Sequence, residues 1–193
     1  LFAPHVHPKL KKVMTVRRQL KIPTIFNFIG PLTNPIDLDY QLLGVYRRDL
    51  LPVFAEVLQN LGRKRAVVIN GAGFMDEASL QGENHLTLLE DGVITKQSFV
   101  PGEVGLPQYD NSAIKGGDSK ENALILKNVL SGEKGACRDT VLLNAGIGIY
   151  TSGKAETISE GINMAREVID SGAAYEKLHR LIEVTRKAQR EAI

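Results

Sequence analysis

The sequence predicts an α/β protein with a mainly parallel sheet flanked by helices, preceded by a basic helical segment. Three observations carry this. Tyr40–Arg47 (YQLLGVYR) and Arg65–Asn70 (RAVVIN) are short apolar runs on either side of a helical stretch, Leu50–Leu61. Strand, helix and strand in that order make a right-handed βαβ unit. The β-branched run RAVVIN suits a parallel sheet covered on both faces. Most of the chain beyond residue 118 has helical patterning.

The elements follow in order. Leu1-Phe2-Ala3-Pro4 reads as the end of an apolar strand (residues 1–3) entering a loop, and implies a chain that begins inside a longer protein. Residues 4–36 are a helical segment. Pro8 suits a first helical turn, and Leu10, Val13, Met14 and Arg17 share one stripe of a helix running to about Leu20. Ile22–Pro35 is punctuated by Pro23, Gly30-Pro31 and Asn34-Pro35, so a short helix or turn between rigid corners is expected. Residues 37–193 form the α/β part. Asp49 is placed to cap Leu50–Leu61, and Gly62 to end it. His85–Val100 is a hairpin pattern, because Asp91-Gly92 favours a tight primed turn. Asp118-Ser119-Lys120-Glu121 is a capping box for a helix over Asn122–Leu130. The apolar, small-residue run Thr140–Ser152 is suited to burial. A helix over Glu156–Ser171 ends at Gly172, and a last amphipathic helix runs toward Ile193.

The balance of 24 basic against 22 acidic residues gives a net charge of +2, unevenly spread. Residues 1–36 hold six basic residues (Lys9, Lys11, Lys12, Arg17, Arg18, Lys21) and no acid, so the rest carries −4. A local positive field beside an acidic body suits an anionic small molecule, an acidic surface or nucleic acid. The aromatic interleaving that single-stranded nucleic acid favours is absent. No uncharged stretch reaches the ~20 apolar residues of a spanning helix. The single cysteine, Cys137, cannot form an internal disulfide, so a cytoplasmic thiol is expected.

The loop after RAVVIN is the first candidate site: Gly71-Ala72-Gly73-Phe74-Met75-Asp76-Glu77-Ala78-Ser79. Ligands of open α/β sheets bind beyond the carboxyl ends of strands. Glycines let a backbone approach a ligand, and adjacent carboxylates repel unless a cation lies between them. Mg²⁺ prefers one or two protein carboxylates with waters and phosphates. On pattern alone the ordinary alternative is a solvated acidic pair at a helix start, where the dipole favours acids. Arg17 could grip a carboxylate with two parallel hydrogen bonds; the alternative is a solvated basic face. His5 and His7 have no further nitrogen or sulfur ligand nearby, so a pocket-lining or hydrogen-bonding role is expected rather than a metal site. Gly116-Gly117-Asp118 is too short for a phosphate cradle and reads as a turn and N-cap.

Taken together, these segments closely resemble the anthranilate phosphoribosyltransferase family. The resemblance rests on His7-Pro8, Val16-Arg17-Arg18-Gln19-Leu20 and the run from Pro23 to Pro35 (PTIFNFIGPLTNP). It continues through Gln41–Val45, Met75-Asp76-Glu77, Gly116-Gly117-Asp118 and Leu142–Ala145, covering nearly the whole chain in order. It implies transfer of a phosphoribosyl group from phosphoribosyl pyrophosphate to anthranilate, in tryptophan biosynthesis. The family has a small helical domain and a large α/β domain, usually in homodimers. By motif position Arg17 would hold the anthranilate carboxylate, and His7, Gly30 and Pro31 would line its pocket. Asp76 and Glu77 would bind Mg²⁺ attached to the pyrophosphate, with no protein nucleophile. The family's phosphate loop (Gly-Thr-Gly-Gly-Asp) and its Lys-His-Gly-Asn-Arg segment do not occur here, so the α/β domain is expected to be incomplete and the piece inactive by itself. Competing readings are a pyrimidine nucleoside phosphorylase, against which the Phe26–Pro35 run argues, and a basic module on nucleic acid, whose binding would fall steeply with salt.

Overall fold

A computed structural model of the chain describes residues 19, 20, 22 and 24–191. The chain divides into two compact units, Leu1–Leu38 and Asp39–Ile193.

The helix expected from Pro8 lies outside the described residues except at Gln19 and Leu20, which are helical. The Pro/Gly-punctuated stretch forms a single helical turn, α1 (Phe26–Ile29), running into a 3-10 turn over Gly30–Leu32. Pro31 sits at the start of that turn, where a missing N–H costs nothing. Thr33 closes it by donating its hydroxyl to Gly30 O at 3.1 Å.

The second unit is α/β. Its sheet has the order β1-β2-β3-β4: β1 (Tyr40–Gly44), β2 (Arg65–Asn70), β3 (Asn84–Glu90) and β4 (Val93–Phe99). β1 and β2 are parallel and joined through helix α2 (Leu51–Asn60). β3 pairs antiparallel with β2 and with β4, so the described sheet is mixed. The antiparallel part follows from the predicted hairpin. Glu90 faces Val93, and both turn residues take left-handed backbone, with φ of 48° at Asp91 and 79° at Gly92. Such a two-residue primed turn can join only antiparallel strands.

Two details differ from expectation. β1 ends at Gly44 rather than Arg47, because the chain turns into a 3-10 segment over Arg48–Leu50. Asp49 does not cap α2; its carboxylate is taken by Arg47, whose Nε donates at 2.8 Å. The guanidinium outcompetes a backbone N–H for the acid, and Pro52 in the first turn has no N–H to satisfy.

Beyond the sheet run α3 (Ser119–Leu130), α4 (Ala136–Thr151), α5 (Ile158–Asp170) and α6 (Ala173–Glu191). The capping box at α3 forms in both directions: Asp118 accepts from the backbone of Lys120 and Glu121, and Glu121 accepts from the Asp118 N–H at 2.9 Å. Strand alternation sends Val67, Ile69, Leu86 and Leu88 to one face, where they form one core with Leu142, Leu143 and Ile147 of α4 and with Ile162, Ala165 and Ile169 of α5. The opposite face of β2 and β3 is covered by α2. No helix among the described residues is long and apolar enough to cross a membrane. The sheet is thereby fixed on both faces, and the loop leaving β2 starts from a rigid edge.

Candidate metal and phosphate site

The loop leaving β2 is held so closely that its two acids have little freedom of position. Gly71 and Met75 exchange backbone hydrogen bonds at 3.0 and 3.2 Å, closing a tight ring. Within it Gly73 and Phe74 both take left-handed φ, 80° and 59°. For a non-glycine such as Phe74 that conformation costs of order 1 kcal/mol, and such strain persists where surrounding structure enforces it. The Phe74 ring is exposed, with the Arg48 guanidinium 5.5 Å from its centroid.

The next two residues, Asp76 and Glu77, are seated against glycines. A Cβ on Gly44, at the end of β1, would lie 1.6 Å from the Asp76 carbonyl oxygen, and one on Gly71 would lie 2.2 Å from the Glu77 carbonyl. Only a bare backbone permits this approach.

Side-chain amides fix the remainder. Asn70, fully buried at the end of β2, donates to Val45 O at 2.9 Å and Met75 O at 3.3 Å, and accepts from Arg48 Nε at 3.2 Å. Asn144 of α4 accepts from Ala78 N–H at 2.9 Å and donates to Ala78 O at 3.0 Å. Asn84 does the same to Ser79, at 2.7 and 2.9 Å. Asn111 donates to Ala72 O at 3.0 Å and accepts from the Ser79 hydroxyl at 2.7 Å.

On this frame Asp76 is exposed and Glu77 partly buried. Burial first, and the neighbouring Asp76 charge second, push the Glu77 carboxyl above its ordinary value. Among the described residues no ion pair or hydrogen bond engages either carboxylate. A partly desolvated, uncompensated acidic pair fits a divalent cation. Among the described residues no cluster of three or more His, Cys, Asp or Glu could hold a metal. The donor set therefore suits Mg²⁺, which keeps its waters and takes phosphate oxygens beside one or two carboxylates, rather than a metal needing an all-protein cage.

The sequence-predicted residues are thus placed unequally. Asp76 and Glu77 stand together at the carboxyl end of a parallel pair. Gly30 and Pro31 are exposed residues of the 3-10 turn in the first unit. Arg17 and His7, like His5, lie outside the described residues. The sequence reading missed Arg48 and the four asparagines. Asn144 stood within the recognised Leu142–Ala145 run, but nothing local reveals what it touches.

The α/β unit with its acidic, glycine-seated loop beyond β2 falls in a known class: the chain belongs to the glycosyl transferase family, a/b domain, whose model matches residues 1–175. It is 63% identical over 182 residues to the anthranilate phosphoribosyltransferase of Listeria welshimeri serovar 6b, a match covering 94% of this chain and 54% of that protein. It is 57% identical to that of Bacillus cereus (strain B4264), covering 94% and 53%. Among solved structures, anthranilate phosphoribosyltransferase (TrpD) from Thermus thermophilus is similar with a TM-score of 0.86 and 41% identity, covering 93% of this chain and 53% of that one. The Saccharomyces cerevisiae enzyme in complex with PRPP and Mg has a TM-score of 0.84 and 30% identity, covering 92% and 51%. The chain spans about half the length of the curated relatives it matches.

Proposed function

We propose that this chain is the α/β portion of an anthranilate phosphoribosyltransferase, with residues 4–36 contributing to a small helical domain. The observation that carries the reading is the Asp76–Glu77 pair, uncompensated among the described residues, on a braced loop at the carboxyl end of the β1–β2 pair. The named relatives supply the substrates. In the reaction a C–N bond forms between the anthranilate amine and C1 of the ribose, the C1–O bond to pyrophosphate breaks, and the amine releases a proton.

An aromatic amine is neutral near pH 7, so a strong protein base is not required. What the chemistry demands is positioning and compensation of charge. Asp76 and Glu77 would hold Mg²⁺, which when bound counters the charge developing on the departing pyrophosphate. By motif position Arg17 would fix the anthranilate carboxylate, and His7, Gly30 and Pro31 would line its pocket. Small-molecule anions, rather than nucleic acid or a membrane, are then the partners of the basic segment. A cytoplasmic homodimer is the assembly we infer from the family resemblance.

The test uses the full-length protein. Asp76→Asn with Glu77→Gln removes both charges at nearly constant volume, and Mg²⁺-dependent consumption of anthranilate should fall by at least about 100-fold. Wild-type metal dependence in that double variant would dismiss the assignment.

A further inference from the structure

The frame around the acids contains one contact that reaches across the fold. Asn144 lies in the middle of α4, a position where asparagine is a poor helix former because its amide competes for local backbone groups. Its amide is engaged on both sides. Oδ1 accepts from Ala78 N–H at 2.9 Å, and Nδ2 donates to Ala78 O and to Thr140 O, each at 3.0 Å. Only this orientation satisfies all three contacts, so the amide is not interchangeable with its flipped form. Its neighbours Leu142, Leu143 and Ile147 are wholly buried, so the bracket is anchored to the hydrophobic core of the unit.

Ala78 directly follows Glu77, and successive Cα atoms are ~3.8 Å apart. Fixing both backbone groups of Ala78 confines the Glu77 Cα. On the other side Asn70 holds Met75 O, directly before Asp76. The two acids are the only residues between these anchors.

We propose that Asn144 is a positioning residue for the acidic pair: it sets the backbone after Glu77 so that both carboxylates meet one divalent ion without rearrangement. This rests on the metal reading given under Proposed function. It assigns to a residue of α4, one whose amide is bonded to the backbone of Ala78 and Thr140, control over the affinity of the metal site. Outer residues that orient metal-binding groups characteristically govern affinity by ~10–100-fold.

The experiment uses the full-length enzyme and Mn²⁺ with inorganic pyrophosphate, following loss of the free-ion EPR signal. Asn144→Ala should raise the Mn²⁺ half-saturation by about 10- to 100-fold, and activity should recover at saturating metal with the KM for anthranilate little changed. Asn144→Asp keeps the shape and the acceptor for Ala78 N–H but sets a negative oxygen against the Ala78 and Thr140 carbonyls; it should show the same shift and stands in if the alanine variant fails to fold. Thr151→Ala, which removes a buried hydroxyl bond to Ile147 O in the same helix, should lower thermal stability without moving the metal half-saturation. If both Asn144 variants bind Mn²⁺ as the wild type does while Asp76→Asn with Glu77→Gln loses it, the positioning role is refuted and the metal reading stands. If that double variant binds Mn²⁺ like the wild type, the metal reading itself is wrong and the role falls with it.

Discussion

Placing a methyl group on Gly44 brings a carbon to 1.6 Å from the Asp76 carbonyl oxygen and 2.5 Å from its carbonyl carbon. Real Cβ contacts essentially never fall below 3.0 Å, so one side must retreat by about 1.4 Å. β1 is poorly able to move, since Leu43 and Val45 on either side are buried and Val45 N–H is bound to Ile69 O at 2.8 Å. The loop must therefore give way, carrying Asp76 off its position. Overpacking of this kind costs ~1–3 kcal/mol of stability. A displacement near 1 Å at a reacting site costs on the order of 100-fold in rate. Gly44→Ala in the full-length enzyme should thus lose about two orders of magnitude in turnover, with a raised Mg²⁺ half-saturation and a loss of ~2 kcal/mol in urea unfolding. Anthranilate consumption across a Mg²⁺ series reads the first two. Wild-type rate and metal dependence in a folded Gly44→Ala protein would show that the seat beneath Asp76 is irrelevant to the chemistry.

Glu77→Gln alone should raise the melting temperature in metal-free buffer at neutral pH. The folded protein binds a proton at Glu77 more tightly than the unfolded chain does, because the carboxyl is raised above its ordinary 4.5, so its ionised form costs stability. That cost disappears as pH falls through the raised value toward 4.5, and the gap between variant and wild type should close over the same window; a constant or inverted gap in thermal scans would contradict the burial assigned to this acid. Arg17→Ala in the intact enzyme removes a charge-assisted double hydrogen bond and should raise the KM for anthranilate by about 10- to 100-fold, with a smaller effect on phosphoribosyl pyrophosphate. Equal effects on both substrates in steady-state kinetics would remove Arg17 from the anthranilate pocket.

What the sequence made legible is chemistry that acts over a few residues. Asp91-Gly92 carries its own turn geometry, and the Asp118–Glu121 box carries its own pair of hydrogen bonds, so both appear where local rules place them. Asp49 departs from its expected role because a partner two residues away, Arg47, wins it from the helix start, and spacing alone does not rank competing donors. At the site, the acidic pair was visible as two letters after a strand, but its burial was not. The braces were invisible for a definite reason: Asn144 and Ala78 are 66 residues apart, Asn111 and Ala72 39 apart, and an asparagine in a helix or turn advertises only a local preference. Gly44 likewise reads as an ordinary strand residue until the Asp76 carbonyl is seen resting on it.

The braces around the acids are amides, and this has a consequence for how the molecule responds to its solvent. Asn70, Asn84, Asn111 and Asn144 carry no net charge at any pH a protein survives, and their bonds to the loop are buried or partly buried. Glu77, which they help to hold, takes up its proton above the ordinary carboxylate range because it is partly buried beside Asp76. Mild acid should therefore strip the loop of its appetite for divalent ions while leaving its shape intact, making loss of affinity and loss of architecture separable events along one titration.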